Sequence, residues 1–407
     1  MVAPPSGCPP NSAQPGENVI PTEILRRVAR KAQEVLGQPR PSTTSTPAPA
    51  EEPSAPTAPA AAPPTEIRPP VFGTYTAPGE LTDLGVLFMP LAGYHGRELG
   101  AIGDALVTMG HRVAYLVEEE TVEAVDPHLG DHPRILASKD YDRFQLGSFD
   151  AFVAMNDWGA PSRALYHLAR VREVPSIAKV EGVQDFTDID TGRIRLPYLA
   201  ADHVLVQGAN DIAALDRKNL HVVGNSNMEL AWRTGPTIDA RNGQVVINSN
   251  FTYGVLVDAR DEFLSQAVAA ILANDLEPVI SQHPADLALP SEFAQYRAER
   301  SMSEMLPTCE AIITRFSTVP FEAIAYGTPF VYFNPHHEKV PTFVAPSPAF
   351  EHVHSAANLI GAIDRAVSAR DGYRDRAEPY FRSQIEMSDT SSALRSAEAI
   401  AQIAYPS

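Results

Sequence analysis

Cysteine is almost missing from this 407-residue chain. Only Cys8 and Cys309 occur, too few and too far apart for a disulfide framework or a cysteine-based zinc site, as expected in a reducing cytoplasm. Long apolar runs are missing too. No stretch of about 18 uncharged apolar residues occurs, and the N-terminus lacks an apolar core of signal-peptide length. The expectation is a soluble cytoplasmic protein whose membrane contact, if any, is peripheral at the inner face. Positive charge is in deficit: 32 Lys and Arg stand against 50 Asp and Glu, a net of −18. A surface of that sign repels phosphate backbones and argues against nucleic acid as a partner.

What is abundant is proline, and it is concentrated at one end. Residues 1–71 hold 17 of the 37 prolines, and a Pro/Ala/Ser/Thr tract of this kind cannot bury a core. Segment 1–79 is therefore expected to be disordered, with one exception. Over 21–36, Ile24, Leu25, Val28, Ala32, Val35 and Leu36 recur at helical spacing among Arg26, Arg27, Arg30 and Lys31, and Gly37 ends the pattern. A tethered amphipathic helix suits docking onto a partner protein or a membrane surface; the alternative is packing back onto its own domain.

From Leu84 the chain alternates buried strands with amphipathic helices. Gly85–Pro90 reads as a strand, the segment from Leu91 carries a helix with Leu99, Ile102, Leu106 and Met109 on one face, and 113–117 reads as the next strand. This βαβ unit implies a parallel sheet. Gly93, Gly96 and Gly100 are spaced by three and four, so they do not form a dinucleotide fingerprint. Strands at 151–154, 176–180 and 203–206 complete a first α/β domain over 80–235. After a turn at Arg241-Asn242-Gly243, a second series begins at 245–247. It has a helix at 259–274, a strand at 278–281, a helical stretch 292–305, a strand–turn–helix–strand unit over 311–334, and a helix at 356–369. The second domain spans 241–390, and a C-terminal helix occupies 391–407. The fold class is α/β: two domains facing across a cleft.

In open parallel sheets, ligands bind beyond the carboxyl ends of the strands. Those ends are polar here: Tyr94-His95-Gly96, Glu181-Gly182, Asn248-Ser249-Asn250, Gln282-His283-Pro284, Arg315-Phe316-Ser317-Thr318, and Asn334-Pro335-His336-His337-Glu338-Lys339. Within 311–334, Ser317 and Thr318 precede a short helix with Pro320 in its first turn. Free N–H groups and hydroxyls at such a start suit phosphate, although capping the helix is the simpler role. His336, His337, His352 and His354 are not expected to hold a metal, having few carboxylates and no cysteine beside them.

Taken together, these residues resemble the GT-B glycosyltransferases, in which two Rossmann-like domains enclose a nucleotide-sugar donor. The resemblance covers about 84–405. The segment PFEAIAYGTPFVYF is similar to the donor-domain segment of that superfamily, and it implies that Glu322 holds the ribose hydroxyls. Nearest is the bacterial capsule-type branch of polysialyltransferases, capsule Kdo transferases and teichoic acid glycerophosphotransferases. Its acidic-Gly, His-Pro and hydroxyl-pair motifs are matched in order by Glu181-Gly182, His283-Pro284 and Ser317-Thr318; Val180 stands where the sialyltransferase motif has a second acid.

The resemblance implies a nucleotide-sugar donor, a glycan or other hydroxyl acceptor, and no cofactor, in polysaccharide or cell-surface glycan synthesis. A carboxylate at a first-domain strand end suits a general base, so Glu181 is expected in that role, with His95 the alternative. His283, Arg315, Ser317, Thr318, Glu322, Asn250 and His336 are expected on the donor, with His283 also able to protonate the leaving phosphate. Retaining members carry two glutamates eight residues apart; Thr314 stands eight before Glu322, which points to inversion, without a metal. The alternatives are a nucleotide-sugar epimerase of the same fold and a non-catalytic glycan- or nucleotide-binding protein.

Overall fold

The computed structural model describes residues 85–137, 145–157, 159–182, 197–215, 217–235, 241–251, 256–283, 286–338, 340–344 and 347–405. The N-terminal segment 1–79 with its expected helix, and Pro284, lie outside these residues. The first body runs β1 (Val86–Met89), α1 (Gly93–Thr108), β2 (Val113–Glu118), α2 (Val122–Val125), β3 (Arg134–Ala137), β4 (Ala151–Ala154), α3 (Ala160–Val171), β5 (Ser176–Lys179), β6 (His203–Val206), α4 (Ala209–Leu215), β7 (Leu220–Val222) and α5 (Ser226–Thr234). The second runs β8 (Gln244–Ser249), α6 (Arg260–Ala273), β9 (Glu277–Gln282), α7 (Met302–Met305), β10 (Ala311–Thr314), α8 (Val319–Ala325), β11 (Phe330–Phe333), α9 (Pro341–Val344), β12 (Phe350–Val353), α10 (Ala356–Ser368), α11 (Tyr373–Gln384) and α12 (Ser392–Ala404).

The strands form two sheets, ordered β3-β2-β1-β4-β5-β6-β7 and β12-β11-β10-β8-β9, and neighbouring strands pair in parallel. Alternate residues of one strand feed opposite layers. Val86 and Phe88 join one apolar cluster and Leu87 and Met89 another; Ile312 and Ile313 divide likewise in the second sheet. That explains the near-continuous apolar runs, because a parallel sheet is covered by helices on both faces. Gly327, at φ 72°, closes α8 in the left-handed region so that the chain turns straight into β11. No described helix is long and apolar enough to cross a membrane.

The strand order reverses between β1 and β4 in the first sheet and between β8 and β10 in the second. Both reversals open crevices at the carboxyl ends, where ligands bind in such sheets. The chain also crosses between the bodies twice. Met228 and Ala231 of α5 pack in the apolar cluster of Phe321 and Ile324, while Ala397 and Ile400 of α12 return to that of Leu99 and Ile102.

Three strands escape a reading of sequence: β3, β7 and β12. They have three or four residues, and β12 interleaves Glu351 and His352 with its apolar positions. The expected helical stretch 292–305 is instead two pieces, a 3₁₀ turn Ser291–Tyr296 and α7. Arg297 is extended, at φ −61° and ψ 128°. Ser301 and Glu304 then form a capping box that starts α7 afresh.

Candidate active site

Glu181 follows the buried strand β5 and stands at the first-body wall of the cleft with 22% of its side chain exposed. Its carboxylate is gripped from three sides. The Tyr94 hydroxyl donates to Oε1, His95 Nε2 lies 3.2 Å from the same oxygen, and Asn156 Nδ2 donates to Oε2 at 3.0 Å. Burial pushes the carboxyl up. The hydrogen bond and charge of His95, with the Tyr94 and Asn156 bonds, more than offset it and hold Glu181 below the ordinary carboxylate value.

His95 occupies the first turn of α1 and is only 1% exposed. The Leu91 N–H donates to its Nδ1 at 3.1 Å, which leaves the proton of a neutral ring on Nε2, aimed at Glu181. Its buried Nε2, 3.2 Å from Glu181 Oε1, places His95 to orient the carboxylate. Tyr94 and Asn156 were absent from the expected site. Their only signal in sequence is position, beside His95 and directly after β4.

The opposite wall is built from the ends of β8, β9 and β10. Here Arg315, expected on the donor, is turned inward. Its guanidinium is 1% exposed, bound to both oxygens of Glu338, donates to the Asn250 carbonyl at 2.7 Å, and lies 4.6 Å over the Phe251 ring. Asn250 in turn donates to the Phe316 carbonyl at 3.1 Å. Arg315 and Asn250 thus hold the loops after β8, β10 and β11 together. His336 lies on the last of these, with Nε2 buried and, among the described residues, no hydrogen-bond partner. Burial lowers its pKa, Glu338 acting against the shift.

Ser317 and Thr318 reach the cleft, but the helix behind them is seven residues long. Its first N–H, from Val319, is taken by Ser317 Oγ at 3.2 Å. The expected phosphate seat on free helix amides is therefore reduced to the hydroxyls themselves. Thr318 meets the first body directly: a Cβ added to Gly182 would collide with its Oγ1.

His283 is half-buried, with its backbone N–H on the Ser249 carbonyl at 3.0 Å. Burial lowers its pKa, with Asp286 and Glu181 pulling the other way. Asp286 is held by Ser249 Oγ at 2.6 Å and lies 3.6 Å from Arg260. Burial raises the pKa of Glu322, and the charge of Arg97 on α1 opposes the shift.

Beside His283 opens a cavity of about 720 Å³ whose lining includes Asn248, Ser281, His283, Arg300, Ser301 and Val319. Its size is that of a small-molecule pocket, and the lining is rich in donors with two arginines, Arg297 and Arg300. Arg300 and Ser301 were not singled out in sequence because the segment reads as continuous helix.

No family model matches the chain, and none of the curated proteins does. Solved structures do match in fold. A Listeria monocytogenes structure assigned as a UDP-N-acetylglucosamine 2-epimerase aligns with TM-score 0.58 at 12% identity, over 80% of this chain and 97% of the other. The Methanocaldococcus jannaschii UDP-GlcNAc 2-epimerase, solved with UDP-GlcNAc and UDP, gives TM-score 0.54 at 13% identity over 78% and 99%. The glycosyltransferase SnogD from Streptomyces nogalater gives 0.50 at 16% over 78% and 100%. At such identities the likeness is one of fold: two parallel α/β bodies in the GT-B-like arrangement common to glycosyltransferases and 2-epimerases.

Proposed function

We propose that this chain is a glycosyltransferase that moves a sugar or sugar-like group from a nucleotide donor to a hydroxyl acceptor, inverting and metal-independent, in polysaccharide or cell-surface glycan synthesis at the cytoplasmic side. The capsule-type branch is the nearest kin we propose. What carries the proposal is that Glu181 and His283 stand at strand ends of the two bodies, whose walls meet at Gly182 and Thr318. Glu181 accepts the acceptor's proton, and His283 with the Ser317 and Thr318 hydroxyls stabilises charge on the departing nucleotide phosphate. The nucleotide lies in the cavity beside His283, with its ribose toward Glu322.

A thermal-shift screen with CMP, CDP, UDP, GDP and TDP nucleotides tests donor binding, because a ligand of the folded state raises apparent stability. The sugar nucleotides of any binder are then offered with hydroxyl acceptors. Glycosylated product with release of nucleotide supports the proposal; no binding by any nucleotide sinks it and leaves a glycan-binding role.

A second reading, a 2-epimerase, is favoured by the fold likeness to an enzyme of that activity solved with UDP-GlcNAc and UDP. Incubation with UDP-GlcNAc and no acceptor separates the two. A C2-epimerised sugar nucleotide would establish it in place of transfer.

A further inference from the structure

We propose that Glu98 and Lys179 are positioning residues for Glu181: a buried ion pair that registers the base against His95 and ties both to helix α5. The proposal rests on the transferase assignment above.

Lys179 precedes Glu181 by two residues at the end of β5, and Glu98 follows His95 by three on α1. Both side chains are fully buried, with Nζ 3.5 Å from Glu98 Oε1. Nζ also donates to the Gly224 carbonyl at 2.8 Å. Glu98 has a second set of partners. Its oxygens accept the Ser226 N–H at 3.1 and 3.0 Å and the Asn227 N–H at 3.3 Å. Those amides open α5, so a carboxylate on α1 satisfies the orphan donors of a helix in the crossing between bodies.

The geometry has a consequence for the site. A buried ion pair adds little net stability over an apolar pair of the same shape, so stability alone does not account for it. What charge-assisted bonds supply is direction and register. The elements registered are α1, carrying Tyr94 and His95, and β5, leading into Glu181. The third, α5, packs through Met228 and Ala231 against Phe321 and Ile324 of the second body. A shift of the second body is therefore transmitted through α5 to Glu98 and Lys179, and the 3.2 Å contact of His95 with Glu181 depends on that register.

The test uses the full chain and the double variant Lys179→Met/Glu98→Gln. One readout is amide exchange at Ser226 and Asn227, and another is the carboxyl titration of Glu181 by ¹³C NMR, neither needing a donor. Exchange is expected to accelerate at least ~10-fold. The Glu181 midpoint is expected to rise by about one unit as the His95 contact loosens. With a working donor and acceptor, kcat falls about tenfold while donor KM stays within about twofold.

A folded double variant with wild-type Glu181 titration overturns the proposal even if its melting temperature drops, since a purely structural role moves only stability. Should that variant fail to fold, Glu98→Gln alone keeps the shape and one acceptor, and an unmoved midpoint there overturns it equally. A wild-type protein that turns over no donor removes the transferase assignment, and the titration still decides the coupling.

Discussion

Gly182 and Thr318 meet across the cleft so closely that the glycine's missing Cβ is what allows the contact. One belongs to the strand end that carries Glu181, the other to the turn before α8. On the proposed function, the contact sets how near Glu181 can come to a donor at His283.

Gly182→Ala should therefore wedge the walls apart. Because misplacement by about 1 Å can reduce rate on the order of 100-fold, kcat/KM should fall about 10- to 100-fold with the melting temperature nearly unchanged. Thr318→Ala in the same chain should restore part of the loss. Wild-type kinetics in Gly182→Ala would show that the contact does not limit approach.

Glu181→Gln should lower kcat by about 10² or more while leaving nucleotide binding intact, as for loss of a general base. The sign of its pH dependence follows from its depressed pKa. If Glu181 is the proposed base, it works ionised, so the acid limb of kcat/KM should lie below the usual carboxylate range of about 4.3. Its contribution to stability is likewise fully present above the unfolded value and is lost as pH falls through the folded one. An acid limb near neutrality would assign the base elsewhere.

His283 behaves oppositely in what it can donate. Its lowered pKa keeps the ring neutral in the free protein, so a nucleotide diphosphate must draw the proton in. ¹⁵N-imidazole NMR should show a neutral His283 at pH 7 that titrates upward on adding nucleotide. The folded state binds fewer protons than the unfolded one here, so stability from this group is present above about 6.5 and is lost as pH falls toward the folded value. A His283 titration indifferent to every bound nucleotide would remove it from the donor site.

The Arg315–Glu338 pair should reveal itself by asymmetry. Arg315→Met alone strands a buried carboxylate and should cost about 3–5 kcal/mol; Arg315→Met with Glu338→Leu should cost much less. Chemical denaturation of the four proteins of that cycle measures it. Equal costs for the single and the double variant would mean that the guanidinium acts mainly through its stacking on Phe251.

Much of this molecule is determined by sequence alone. Ile312-Ile313, Val86-Leu87-Phe88-Met89 and their kin are buried whichever way they face, so parallel sheets covered on both sides follow from the residues themselves. The polar strand ends follow too, and with them Glu181, His283, Ser317 and Thr318 at the cleft. Sequence could not tell which of those polar groups look outward. Arg315 and Thr318 are three residues apart, yet one is enclosed by Glu338 and Phe251 and the other touches Gly182. The same limit hid Tyr94, Asn156 and Glu98, whose partners lie 87, 25 and 128 residues away. Burial and long-range pairing decide whether a charged side chain serves chemistry or scaffolding, and only the packed chain fixes both.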